Sequence, residues 1–251
     1  MIQNTIISVQ NVSKSFKVGI QNVPVLKDVS FVIRKDDFLI IFGPSGCGKS
    51  TLLHTMLGLE APSRGTIEFL GKNLYQNTSE DERSEFRKVH VGMVYQQPNW
   101  IKSLTVLENI AFPLLLLGQE RKQTIEKAKI ILSTLEMTDW AFYNPTELSS
   151  GQQQRIALAR GLVTNPEVII ADEPTGNLDY ESGQELMKLL THLNKTENKT
   201  VVMVTHDLEY LNFAKTAIRM FNGEVVGNYE EKDKHKLLSE VKSKRGNGDN
   251  V

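Results

Sequence analysis

Alternating apolar and polar positions open the chain. Ile7 and Val9, then Val29, Phe31 and Ile33, place apolar side chains at every second residue, the period of strands with one buried face. Antiparallel N-terminal strands are expected there. Phe38–Phe42 (FLIIF) replaces the alternation with a continuous apolar run, as for a strand covered on both faces, and leads into glycines and a helical segment ending near Gly58. Val168–Ala171 and Val201–Thr205 repeat that run. A helix between them is marked by Leu186, Leu189, Leu190 and Leu193 at i, i+3, i+4 and i+7. Buried strands alternating with helices predict an α/β core. Across about residues 99–163 the strand signal disappears, while Ile125, Ala128, Leu132 and Leu135 form one helical stripe. A helical subdomain inserted into a single domain over 1–229 is therefore expected. From about Glu230 both charge signs mix and the chain ends KSKRGNGDNV, with too little apolar surface to offset the entropy of ordering. A short helix and a frayed, charged tail are expected over 230–251.

Composition narrows the partners. At 251 residues, with 40% hydrophobic and 24% charged residues, the chain is long enough for a sizeable core and unlike a disordered or disulfide-scaffold protein. Its 29 Lys and Arg against 30 Asp and Glu leave a formal charge of -1, so no global positive field favours nucleic acid. Cys47 stands alone, which rules out an internal disulfide and a cysteine-built zinc site. The N-terminal IQNTIISVQNV has no basic region of signal-peptide type, and the apolar run at 111–117 (AFPLLLL) contains a proline. Neither approaches the ~18 to 20 apolar residues needed to span a bilayer, so membrane work is expected to go through a partner.

Gly43-Pro44-Ser45-Gly46-Cys47-Gly48-Lys49-Ser50, followed by Thr51, fits GxxxxGK[ST] and lies between a buried strand and a helix. Glycines let successive backbone N–H groups and the helix N-terminus wrap phosphate oxygens. Lys49 reaches the β/γ-phosphates, and the Ser50 hydroxyl suits Mg²⁺. Val168–Glu173 (VIIADE) ends a buried strand in two carboxylates: Asp172 suits the Mg²⁺ shell and Glu173 an attacking water as general base. Strand alternation is expected to point the two apart. Cys47, near a helix N-terminus, is expected to have a lowered pKa.

Leu148-Ser149-Ser150-Gly151-Gln152-Gln153-Gln154-Arg155 separates these motifs from those of a metabolite kinase or a GTPase. As local structure it reads as a helix start, Ser150 and Gln153 standing at capping-box spacing ahead of the stripe Ile156, Ala159 and Val163. As a motif it resembles the LSGGQ signature of ATP-binding-cassette (ABC) ATPases. The resemblance extends over about residues 5–225 and implies a P-loop NTPase of ABC type: a mostly parallel core sheet, an N-terminal antiparallel β subdomain and an inserted helical subdomain. It also implies roles residue by residue. Phe16 resembles the aromatic that stacks on adenine, and Gln96 in VYQQPN the Q-loop glutamine that contacts Mg²⁺ or water, with Gln97 its neighbour and competitor. Asp179 in NLD resembles the D-loop aspartate, which here also suits a helix cap. His206 in VTHD resembles the switch histidine at the γ-phosphate, and Ser149, Ser150, Gly151 and Gln152 the residues offered to ATP on a second protomer.

Ser150 departs from the glycine usual at that position. Its Cβ is expected to restrict the backbone or crowd the phosphate and weaken dimer closure slightly. DEPTGNLD at 172–179 and the charged SEDERSEFRK segment resemble the branch of lipoprotein-releasing, macrolide-exporting, cell-division and bacitracin-type peptide-resistance ATPases. ATP and Mg²⁺, a second copy or similar ATPase, integral membrane permease subunits and a peripheral place on the cytoplasmic face of the inner membrane are what the resemblance implies. No nucleic acid is expected. The other class carried is an ABC-type ATPase acting on nucleic acid or ribosomes without a permease.

Overall fold

In the computed structural model, which describes residues 4–233 and Leu237, the alternating N-terminal segment forms two 14-residue strands, β1 (Thr5–Val18) and β2 (Gln21–Arg34). They pair antiparallel, with Val9 opposite Phe31 and Val12 opposite Val29. Ile7, Val9, Val29, Phe31 and Ile33 are all buried, as the period of two requires. The apolar run is β3 (Phe38–Phe42), buried at every position, and α1 (Lys49–Met56) follows it across the glycine loop. β4 (Arg64–Phe69) pairs antiparallel with β1 and β5 (Lys72–Asn73) with β4, giving the sheet order β2-β1-β4-β5.

Two compact units compose the chain: Met1–Arg83 with Val202–Val251, and Ser84–Val201. α2 (Glu80–His90) runs from the first into the second. The second unit then holds β6 (Val91–Tyr95), α3 (Val106–Leu116), α4 (Arg121–Thr134), α5 (Ser150–Leu162), β7 (Val168–Asp172) and α6 (Tyr180–Thr196). β8 (Thr200–Thr205) leads back into the first unit, where β9 (Thr216–Phe221) lies parallel to β3 and β10 (Glu224–Tyr229) antiparallel to β9.

α3, α4 and α5 enclose a cluster that includes Leu107, Ile110, Leu114, Leu132, Ile156 and Ala159. Each large aliphatic side chain buried there contributes about 1.5–3 kcal/mol, against about 0.3–0.5 kcal/mol for an exposed helix pair such as Glu126–Lys129, so packing holds the helices. Buried Asn109 on α3 bonds Ile101 N and the carbonyls of Ile101, Leu104 and Thr105, which pins the segment after β6. β6 and β7 run parallel in register, from Val91 opposite Val168 to Tyr95 opposite Asp172. Of the helix and tail expected over 230–251, residues 230–233, with a 3-10 turn at Glu231–Asp233, and Leu237 are described; the others lie outside the described residues.

Candidate functional site

The first unit carries the phosphate-loop residues. Gly46 has φ 77° and Gly48, the N-cap of α1, φ 102°, both left-handed. A Cβ at Gly48 would also lie 2.9 Å from the Val25 carbonyl oxygen, so only glycine fits. No side chain caps α1 and no acid stands in its first turn, which leaves its leading N–H groups and the positive end of its dipole to an anion. Lys49 is 5% exposed and donates through Nζ to Gly43 O at 2.8 Å and Pro44 O at 3.0 Å. An ammonium has three donors, so one remains for a phosphate oxygen. Ser50 is exposed and Thr51 half-buried at the start of the helix.

Cys47 does not have the lowered pKa expected of it. Its side chain is buried, and desolvation raises its pKa despite the nearby Lys49 ammonium. Its backbone anchors the loop: the carbonyl accepts from Gly223 N at 3.0 Å.

Phe16, half-buried on β1 opposite Val23, has the Lys14 ammonium 4.8 Å from its ring centroid. Lys14 is itself held by Glu60 at 2.9 Å and Ala61 O at 2.7 Å. A cation thus stands over the Phe16 ring. His206 is exposed just past β8, at a turn set by Asp207 N donating to Thr205 Oγ1 at 2.9 Å.

The second unit carries the remaining motifs. β7 ends at Asp172, and Glu173 lies beyond it with φ 46°. The pleat therefore does not separate the two carboxylates; a left-handed turn directs Glu173. Such a conformation is costly for a non-glycine residue and marks a place where the surroundings impose it.

The cap of α5 falls one residue earlier than the expected Ser150–Gln153 pair. Ser149 Oγ accepts from Gln152 N at 3.3 Å and Gln152 Oε1 accepts from Ser149 N at 2.9 Å, the two halves of a capping box. Ser150 is the first helical residue, exposed and without positive φ, so its Cβ does not strain the backbone. Gly151 is the position with no room: a Cβ there would stand 2.8 Å from Ser182 Oγ. Ser182 in turn donates its N–H and its hydroxyl to Asp179, at 2.9 and 2.8 Å. Asp179 is thus the N-cap of α6, and these bonds hold its carboxyl below the usual range.

Gln96 is half-buried with its amide against Gly176, in long contacts of 3.4 Å with Asn177, whereas Gln97 is exposed. Two residues escape the motif reading. Trp100 donates its indole N–H to Gln153 Oε1 at 2.8 Å, and buried Gln154 donates to backbone carbonyls at the ends of β6 and β7. Gln154 could have been found by periodicity, because Ala157 and Leu158, three and four residues on, are both buried.

A model of the family described as "ABC transporter" matches residues 26–176. The lipoprotein-releasing system ATP-binding protein LolD of Legionella pneumophila is 42% identical over 206 residues, covering 82% of this chain and 90% of that protein. The macrolide export ATP-binding/permease protein MacB of Aggregatibacter actinomycetemcomitans is 37% identical over 238 residues, 95% of this chain and 36% of that protein. The chain is also similar to a solved structure of MJ0796 from Methanocaldococcus jannaschii, described as a dimeric post-hydrolysis state bound to ADP and Pi. That match has a TM-score of 0.82 and 36% identity, covering 90% of this chain and 98% of the other.

Proposed function

Since the chain belongs to the ABC transporter family, we propose that it is the ATP-hydrolysing subunit of a transporter, two cassettes closing around two ATP to drive a membrane permease. The observation that carries this reading is the start of α5: its N-cap Ser149 and first residue Ser150 face solvent, and no acid stands in the first turn. A helix N-terminus of that kind is an anion site offered outward, to the phosphate of a partner's nucleotide.

The residue roles follow. The amides of residues 43–51 wrap the phosphates, Lys49 places its remaining donor on the β/γ oxygens, and Phe16 stacks on adenine. Glu173 orients a water and takes its proton, His206 and Gln96 contact the γ-phosphate and that water, and Asp179 communicates across the dimer. Ser50, Asp172 and Gln96 each carry a hard oxygen ligand of the kind Mg²⁺ takes, its remaining positions coming from phosphate and water. When bound, Mg²⁺ would neutralise charge developing on the phosphate oxygens. Ser150 adds a side chain on the face offered to the partner's ATP. Ser150→Gly is expected to raise the ATPase rate about two- to fivefold, and an unchanged rate removes serine as a brake on closure.

Among the described residues no helix is long and apolar enough to cross a membrane. The permease contact is assigned to a cleft of about 370 Å³ lined by Tyr95, Asn99, Ile101, Phe112, Leu116 and Arg160. It adjoins the segment that carries Gln96 and reaches α5 through Arg160, so an occupant pushes on both. Docking there would place the chain peripherally on the cytoplasmic face of the inner membrane.

The test is isolation of the full chain from solubilised membranes. Co-purification with an integral membrane protein, lost in Leu116→Glu, supports the reading. Retention on immobilised nucleic acid without a membrane protein would replace it with the nucleic-acid-acting class.

A further inference from the structure

Gln154 is 2% exposed on the buried face of α5. Its amide nitrogen donates to Pro174 O at 2.6 Å and Tyr95 O at 2.9 Å, with Gln96 O at 3.4 Å. Tyr95 and Asp172 are register partners at the ends of β6 and β7, so one side chain joins the last residue of β6 to the turn leaving β7. Its amide oxygen is buried without a hydrogen-bond partner. An orphaned acceptor opposes folding, so stability alone does not account for a glutamine here.

The turn that this amide holds contains Glu173, whose left-handed φ of 46° persists only under restraint from its surroundings. Two contacts flank it: Gly176 N donates to Glu173 O at 3.0 Å, and Gln154 fixes the carbonyl of the next residue, Pro174. Without Gln154 the carbonyl one residue past Glu173 loses this donor, and the turn that directs the carboxylate is held less firmly.

We infer that Gln154 is a positioning residue for hydrolysis, holding Glu173 in its left-handed conformation and tying that turn to the segment that carries Gln96. The inference rests on Glu173 acting as the base. Movement of that segment is transmitted through one amide to the base, while the phosphate-loop contacts that bind ATP are untouched.

Two variants of the full chain test it by ATP turnover with Mg²⁺ and by binding of a fluorescent ATP analogue. Gln154→Met keeps the length and removes both donors. It is expected to lower kcat about 30-fold or more with KM for ATP within about twofold. Gln154→Asn keeps an amide donor on a side chain one methylene shorter, and is expected to hold kcat above that of Gln154→Met, about three- to tenfold below wild type, with KM again within about twofold. A Gln154→Met kcat within about threefold of wild type, a KM that rises as kcat falls, or a Gln154→Asn kcat no higher than that of Gln154→Met overturns the inference. If the methionine variant fails to fold, the asparagine variant decides: a lowered kcat with unchanged KM supports the inference, and a wild-type kcat or a raised KM overturns it. A wild-type chain that binds and hydrolyses no ATP overturns the functional reading instead.

Discussion

Glu173→Gln is expected to lower ATP turnover by about 10²–10⁴-fold while nucleotide binding survives, the range for loss of a general base. Glutamine has the shape of glutamate and meets the same demand for φ 46°, so the substitution leaves the turn and its bond from Gln154 in place. What it removes is the ability to accept a proton from water. Phosphate release at saturating ATP and Mg²⁺ measures the fall. Turnover within about tenfold of wild type would mean that proton acceptance lies elsewhere, and Glu173 would be only a turn residue.

Lys49→Ala acts on binding as well as on turnover. Its ammonium is nearly enclosed and already bonded to Gly43 O and Pro44 O, so its charge sits in a site of low solvent screening. Removing it deletes a charge-assisted bond to the phosphates and leaves the two loop carbonyls without their donor. ATP affinity is expected to fall about tenfold or more and turnover about 10²–10³-fold. Titration with a fluorescent ATP analogue and an ATPase assay read both numbers. Unchanged affinity would move the phosphates away from this loop.

Motif chemistry was more legible in the sequence than the contacts that aim it. β3, β7 and β8 announce themselves as apolar runs because both faces are covered. β6 does not, since Gly92 interrupts it: a Cβ there would stand 2.4 Å from Gly161 O, a backbone-to-backbone approach of α5 that no apolar period encodes. α3 was likewise obscured by Pro113, which the helix accommodates in its interior. At the signature, adjacent serines and three consecutive glutamines offer two capping boxes of equal spacing, and only the fold selects Ser149 with Gln152. Cys47 differs from its sequence expectation for a similar reason. Proximity to a helix start is visible in sequence, but the burial that outweighs it is not. The left-handed turn at Glu173 depends on Gln154 and thus on a contact between α5 and the ends of two strands, which local pattern cannot supply.

In the proposed mechanism each chain holds only half of what encloses an ATP, the other half coming from a second copy across the signature helix. Sedimentation of Glu173→Gln tests this most directly, because ATP that cannot be hydrolysed leaves the closed pair in place. A dimer with ATP and Mg²⁺ and a monomer with ADP are expected at the same protein concentration. A variant that binds ATP yet sediments as a monomer under both conditions would contradict it.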